Sequence, residues 1–350
     1  MILHQEYIEL LKDIVRTPSF SREEDAVADL LENWMRGHGY EVHRCLNNLW
    51  TESEPESAKP TLLLNAHIDT VKPASGYTRD PFSAEICDNR IYGLGTNDDG
   101  GCIVALLETF ELLSSRPQTY RLVYSATAEE EVCGMNGFDA VVPEWGKVDL
   151  GIIGEPTGMQ MAVAEKGLLV LDCKAAGKSG HAAREEGINA IYEAFKDIEW
   201  FRNYRFDKVS PYLGPVKMSV TLINAGTQHN VVPDCCNYVV DVRPNGEYTN
   251  EEILETIKRN VRSEVTPRSL KHNSSSISED NPVVIRGKEI GLSTYGSPTT
   301  SNQTRSPFTT LKIGPGQSSR SHSADEFICL DEISEAVEIY VKLLDNLQII

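Results

Sequence analysis

Residues 61–70 read TLLLNAHIDT, a short apolar run that ends in titratable side chains. Two later stretches have the same form, RLVYSATAEEE at 121–131 and DLGIIGEPTG at 149–158. Short apolar runs bounded by polar residues read as buried strands, and between the first two lies a helical pattern over residues 101–114. Strands alternating with helices predict a largely parallel α/β sheet. In such sheets ligands gather at the carboxyl ends of the strands, where His67, Glu130, Glu131 and Glu155 fall.

Upstream, residues 1–20, MILHQEYIELLKDIVRTPSF, predict an amphipathic helix that ends before Pro18. Ser21 with Glu24 forms a capping-box pattern opening a second helix to about His38, with Gly39 in the C′ role. Downstream the pattern changes from Gly167: GLLVLDCKAAG alternates, residues 182–202 read as helical, MSVTLINAG and CNYVVDVRPN read as strands, and residues 249–264 read as helical again. That order, β-α-β-β-α-β, predicts a ferredoxin-like α+β insert over residues 167–279. The polar tract SLKHNSSSISEDNP leads back, and DEISEAVEIYVKLLDNL is the closing helix. The fold class expected is therefore α/β, a mixed, largely parallel sheet flanked by helices, in a discontinuous domain of residues 1–166 and 280–350 that carries the insert.

Composition narrows the function. The chain has 350 residues, enough for two domains at about 150 each. Its 52 acidic and 33 basic side chains leave a net charge of −19, which repels phosphate backbones and anionic membrane surfaces, so no nucleic-acid partner is expected. Apolar runs such as Leu62 to Leu64 fall far short of the roughly 20 residues a membrane span requires. The start shows no basic n-region followed by an apolar h-region, and no C-x-x-C pair occurs among the eight cysteines. A cytoplasmic protein with reduced thiols is the expectation.

The chemistry sits in the loops. His67 and Asp69 are two apart at a strand end, so their side chains point the same way, as a metal-ligating imidazole and a carboxylate orienting its other nitrogen require; alone, an H-x-D is more often a surface turn. GLGTNDDGG at 93–101 holds Asp98 and Asp99 on a glycine-flanked loop before a helix, which also suits an N-cap turn. It suits a phosphate loop poorly, because two aspartates repel phosphate and no Lys follows. Glu129, Glu130 and Glu131 repel one another unless they are solvated or a cation compensates. Glu155 stands between an apolar strand and Pro156, and His322 lies in GPGQSSRSHSADEF at 314–327. Together, His67, Asp98, one glutamate of the triplet, Glu155 and His322 offer two imidazoles and three carboxylates. Two divalent ions would leave about +1 on such a site, a balance suited to stabilising hydroxide. Imidazole with carboxylate suits zinc, with cobalt or manganese also compatible.

These motifs resemble a known family. NAHIDTV, GLGTNDDGG, SATAEEE, IIGEPTG, SGHAA and the late His322 are similar, in order and over nearly the whole chain, to the di-zinc aminoacylase and carboxypeptidase family of zinc-exopeptidase-like fold. The tail GPG-x5-H-x2-DE is most similar to acetylornithine deacetylases, with succinyl-diaminopimelate desuccinylases as close relatives. The resemblance implies that Asp98 bridges two metals, that His67 and Glu155 complete one ion, and that Glu131 and His322 complete the other. It implies Glu130 as the general base that takes a proton from water and delivers it to the leaving amine, and Asp69 as the partner of His67. It also implies His181, in SGHAA, as an oxyanion-stabilising donor, Asn230 and Arg243 as carboxylate-binding residues, a cis peptide between Asp98 and Asp99, and a homodimer formed through the insert acting as lid. The family more often shows Asp-Glu-Glu where this chain has Glu129-Glu130-Glu131, and Asp-Met-Lys-Gly where it has Asp98-Asp99-Gly100-Gly101. Displacement of base and ligand by one position, and bridging by Asp99, therefore stay open. The activity implied is hydrolysis of the amide of an N-acyl amino acid, N-acetyl- or N-succinylornithine or the corresponding citrulline in arginine biosynthesis, with diaminopimelate desuccinylation or di- and tripeptide cleavage as alternatives.

Overall fold

Thr61–His67 is a strand buried along its whole length, as an apolar run with no polar face requires. In the computed structural model, which describes residues 5–55, 57–184 and 186–349, it is the centre of the main sheet. It pairs in parallel with Arg121–Thr127 on one side and with Leu150–Ile153 on the other, and Thr310–Lys312 continues the parallel run. Asn48–Glu52 adds an antiparallel strand beyond Arg121–Thr127, His43–Cys45 follows it, and Met161–Glu165 pairs antiparallel with Thr310–Lys312. The sheet is thus mixed, four parallel strands at its centre flanked by antiparallel strands on both sides.

The Gly101–Ser114 helix, whose predicted bounds coincide with those observed, is buried almost all round because it lies between the sheet and the closing helix Leu330–Leu344. Its apolar sequence, without a polar stripe, follows from that position. The Gln5–Arg16 helix turns Tyr7, Leu10, Leu11, Ile14 and Val15 inward, and the opposite face of the sheet is covered by Phe138, Val141 and Trp145 packed with Trp50, Leu63 and Val123. The second helix, Asp25–Gly37, departs from its expected start. Ser21 does not cap it; the Ser21 hydroxyl donates to Asp69 at 2.7 Å, and Glu24 accepts the Arg22 N–H instead. Gly39 lies at φ +86° beyond its end, as the C′ role requires.

The chain divides into two compact units, one of Met1–Val163, Ile277–Tyr295 and Ser301–Ile350, the other of Ala164–Ser276 and Gly296–Thr300. The second contains an antiparallel four-stranded sheet in the order Lys217–Ala225, Cys235–Arg243, Leu169–Ala176, Glu264–Pro267, with helices Ala190–Asn203 and Asn250–Asn260. Leu169, Leu171, Cys173, Tyr238, Val240 and Val242 from one sheet face meet Ala190, Ala194, Phe201, Ile253 and Ile257 from the helices. The first of these helices begins at Ala190 rather than near 182. Gly187 at φ +88° and the Lys178–Ile188 bridge hold the preceding residues in a turn, and the Asn189 side chain caps the helix by accepting the Ile191 N–H at 2.9 Å. The second ends at Asn260 and is opened by a capping box at Thr249 and Glu252.

Among the described residues no helix is long and apolar enough to cross a membrane. Cys102, Cys173 and Cys236 are buried; the other five cysteines are partly exposed.

Candidate metal centre

His67 ends its strand 2% exposed, at the carboxyl edge of the parallel sheet. Its Nε2 stands 3.1 Å from Asp98 Oδ1, and its Nδ1 faces the Asp69 carbonyl oxygen at 3.0 Å. The Asp69 carboxylate is farther off, at 3.5 Å. That carboxylate accepts the Glu130 N–H at 2.8 Å, the Glu131 N–H at 3.1 Å and the Ser21 hydroxyl. Asp69 therefore orients the imidazole through its main chain and fixes the glutamate turn through its side chain.

The turn after Arg121–Thr127 resolves the triplet. Glu129 adopts φ +54° and sends its carboxylate to the backbone and side chain of Asn136, away from the histidines. Glu131 faces His322, with Oε1 2.9 Å from Nε2. His322 also lies 3.7 Å from Asp98 Oδ2, so Asp98 stands between the two imidazoles, one carboxylate oxygen toward each. Asp99 is joined to Asp98 by a cis peptide, and its Oδ2 accepts the His67 backbone N–H at 3.1 Å from beneath.

Two groups of potential metal donors result, His67 with Asp98 and Glu131, and His67 with Glu130 and Glu155; in each the donor atoms lie within 4.8 Å of one another. The electrostatics favour cations here. Burial first, and then neighbouring carboxylates, push Glu130 and Glu155 well above the usual carboxylate range, and burial raises Glu131 as well. Burial also resists ionising Asp98, yet His67 hydrogen-bonded to it lowers its pKa. The hydrogen bond that His322 donates to Glu131, against burial, lifts its pKa to about 9. Crowded carboxylates of this kind are relieved by divalent ions, and the donor set of imidazole and carboxylate oxygen fits zinc.

Two residues without a predicted role fasten this site. The buried Glu326 carboxylate accepts the N–H groups of Gly95, Asn97 and Asp98 at 3.1, 2.9 and 3.0 Å. Asn97 in turn accepts the Gln317 N–H and donates to the Gln317 carbonyl and the Ser321 hydroxyl, tying the Asp98 loop to the loop that carries His322. The motif H-x2-DE contains Glu326 four residues after His322, which is the signal by which it could have been found. A third fastening holds Glu155: the Thr157 and Met159 N–H groups both donate to the Gly314 carbonyl, so the Glu155 turn follows the glycine-rich loop.

The remaining candidates lie in the second unit. His181 is exposed, its Nδ1 accepting the Ala183 N–H at 3.1 Å, and it pairs with Val231 in a two-residue ladder. The carbonyl of Asn230 accepts the Ala182 N–H, which keeps Asn230 beside that histidine turn. Arg243 ends its strand with Nε and Nη2 on the two oxygens of Asp241, at 2.8 and 3.0 Å.

The chain is similar to known proteins over nearly its whole length. The model of peptidase family M20/M25/M40 matches residues 63–346. An acetylornithine deacetylase of Proteus mirabilis (strain HI4320) is 28% identical over 380 residues, covering 97% of this chain and 96% of that one. Among solved structures, the aminopeptidase PepT of Bacillus cereus superposes with a TM-score of 0.78 at 19% identity, over 98% of this chain and 99% of its own. The YXEP protein of Bacillus subtilis, a dinuclear metal binding peptidase from M20 family, superposes with a TM-score of 0.74 at 17% identity, over 98% and 97%. These structural likenesses are of fold.

Proposed function

The chain belongs to peptidase family M20/M25/M40 and is a metallohydrolase of that family, and from this premise we propose that it hydrolyses the amide bond of an N-acyl amino acid, N-acetyl- or N-succinylornithine or the corresponding citrulline, as a cytoplasmic enzyme of arginine biosynthesis. The observation that carries the reading is Asp98 standing between His67 and His322, with Glu131 and Glu155 in the adjoining donor groups. The full-length likeness to an acetylornithine deacetylase supports the choice of substrate.

In this reading His67, Asp98 and Glu155 hold one divalent ion, Asp98, Glu131 and His322 hold the second, and the pair, zinc by ligand type, supplies Lewis acidity toward the amide carbonyl and toward water. Glu130 is the base. Its raised pKa suits a carboxylate that must both accept a proton from the attacking water and return it to the leaving amine. Asp69, by holding the Glu130 and Glu131 N–H groups, positions base and ligand together. His181 is assigned to the oxyanion, and Asn230 and Arg243 to the substrate carboxylate, where the guanidinium offers a fork matched to two oxygens. Residues 167–279 then act as lid and dimerisation domain on the catalytic residues 1–166 and 280–350, in a homodimer.

The decisive experiment is elemental analysis of protein purified without chelator, combined with hydrolysis of N-acetyl- and N-succinylornithine before and after chelation. About two zinc ions per chain and chelator-sensitive cleavage are expected. Glu130→Gln should keep the zinc and lose about a hundredfold or more in kcat, the usual range for a general base. Preference for dipeptides or tripeptides over both acyl amino acids would move the assignment to a peptidase, as the fold-level likeness to an aminopeptidase also allows.

A further inference from the structure

The two imidazoles of the metal centre are held in different ways. The His67 side chain is 2% exposed and fixed by the core around it, whereas that of His322 is 53% exposed and depends on the loop that carries it. The backbone of that loop needs support of its own. His322 and Asp325 have φ of +57° and +55°, in the left-handed region that residues other than glycine seldom adopt. Such residues persist where their surroundings hold them there.

Asp325, three residues after His322, supplies a hold. Its Oδ1 accepts the N–H groups of Thr78 and Arg79 at 2.8 and 3.0 Å, and its Oδ2 accepts the Thr78 hydroxyl at 2.6 Å. The Thr78 hydroxyl first, and then the Thr78 N–H, keep the Asp325 carboxyl below the usual carboxylate range. The two segments also touch, since a Cβ on Gly76 would lie 3.8 Å from the Cβ of Ala324.

The segment that Asp325 grips is anchored at both ends. It leaves the strand of His67 through Thr70, which bridges to Phe20 and donates its N–H to the Ser19 carbonyl at 2.8 Å. Beyond the grip, the Arg79 guanidinium lies 4.2 Å from the centre of the Tyr92 ring and pairs with Glu85, and the Pro81 carbonyl accepts the Leu94 N–H at 2.8 Å. Asp325 therefore ties the loop of His322 to a position set by the strands Glu85–Cys87 and Arg90–Tyr92.

We infer that Asp325 is a positioning residue for the second ion: through Thr78 and Arg79 it keeps His322 on Glu131 and Asp98. The inference rests on the metal-ligand reading above and adds a residue to it. Adjacent carboxylates then divide the task, Glu326 holding the loop of the bridging aspartate and Asp325 the loop of the histidine.

Zinc titration against a competing chelator tests this without any substrate. Asp325→Ala should keep the first ion at wild-type affinity and bind the second about tenfold or more weakly, because three bonds to a charged acceptor are lost. Asp325→Asn should restore the second ion, since its Oδ1 still accepts both N–H groups and its amide can donate to the Thr78 hydroxyl. A merely structural role would weaken both ions alike. Where Asp325→Ala does not fold, Thr78→Val removes the hydroxyl bond alone and should weaken only the second ion, by a smaller factor. Wild-type affinity for both ions in these variants, or equal weakening of the two, overturns the inference. His322→Ala tells its failure from that of the reading beneath it: if this variant loses the second ion while Asp325→Ala keeps it, only the inference falls, and if His322→Ala keeps both ions, the ligand assignment falls and takes the inference with it. Hydrogen exchange of the chelated protein reads the grip directly. The Thr78 and Arg79 amides should exchange faster in Asp325→Ala than in the wild type or Asp325→Asn, and unchanged exchange removes the inference.

Discussion

Glu326 accepts three main-chain N–H groups from the turn that carries Asp98, one on Oε2 and two on Oε1. A buried carboxylate can do this because both of its oxygens only accept. Glu326→Gln keeps the volume but turns an NH2 toward one of the donors, so at least one buried N–H loses its partner, at a cost of about 1–3 kcal/mol. The turn would then hold Asp98 less firmly between the two histidines. Urea unfolding should register the loss of stability, and zinc content after dialysis should fall below that of the wild type. Full stability together with full zinc retention would show that the three bonds are not what fixes Asp98. Asp69 illustrates the same principle from the other side of the site: a carboxylate placed to serve His67 spends its side chain on the Glu130 and Glu131 amides.

At the scale of elements, the glutamate turn depends on glycine. Residues 128–137 double back so closely that a Cβ on Gly137 would land on the Ala128 carbonyl oxygen, which is backbone and cannot step aside. Arg305 clamps the same turn, donating to the Gly134 carbonyl and, at 2.8 Å, to Asp139. Gly137→Ala should therefore lower the melting temperature by several degrees and reduce zinc retention with it, because the displaced segment carries Glu130 and Glu131; strain of about 1–3 kcal/mol is the expected scale. An alanine variant that melts and binds zinc as the wild type does would refute the close approach. The elements themselves were largely legible in the sequence, since a short apolar run such as TLLLNAH, bounded by polar residues, reads as a strand buried on both faces of a sheet. The local errors share one cause. Ser21 looked like a cap because Glu24 follows at the right spacing, but its hydroxyl found a partner 48 residues away. Residues 186–189 suited a helix by pattern, but the bridge from Ile188 to Lys178 held them out of it. In the site, the motifs marked the carboxylates and imidazoles, whereas the turn of Glu129 away from them and the grip of Asn97 on the Asp98 loop depend on backbone geometry that no spacing of residues encodes.

At the scale of the whole molecule, the five proposed metal ligands all belong to one compact unit, while the second unit has its own core of sheet and helix residues. A ligand that binds only the native state stabilises what it binds, by about 2.7 kcal/mol at a free concentration one hundred times Kd. Zinc should therefore raise the unfolding temperature of the first unit, and chelation should lower it. The second unit has none of these ligands, so its own transition should stay in place. Chains with two cores commonly depart from a single cooperative transition, which makes the two events separable by calorimetry. Phe201→Ala identifies them: the ring is buried in the second unit's core, and its removal should cost about 3–5 kcal/mol there. The expected pattern is two transitions, one moved by chelator and the other by Phe201→Ala. If chelation shifted the Phe201-sensitive transition as far as the other, the second unit would have to be stabilised by the metals as well, and the confinement of the ligands to the first unit would no longer account for metal-linked stability.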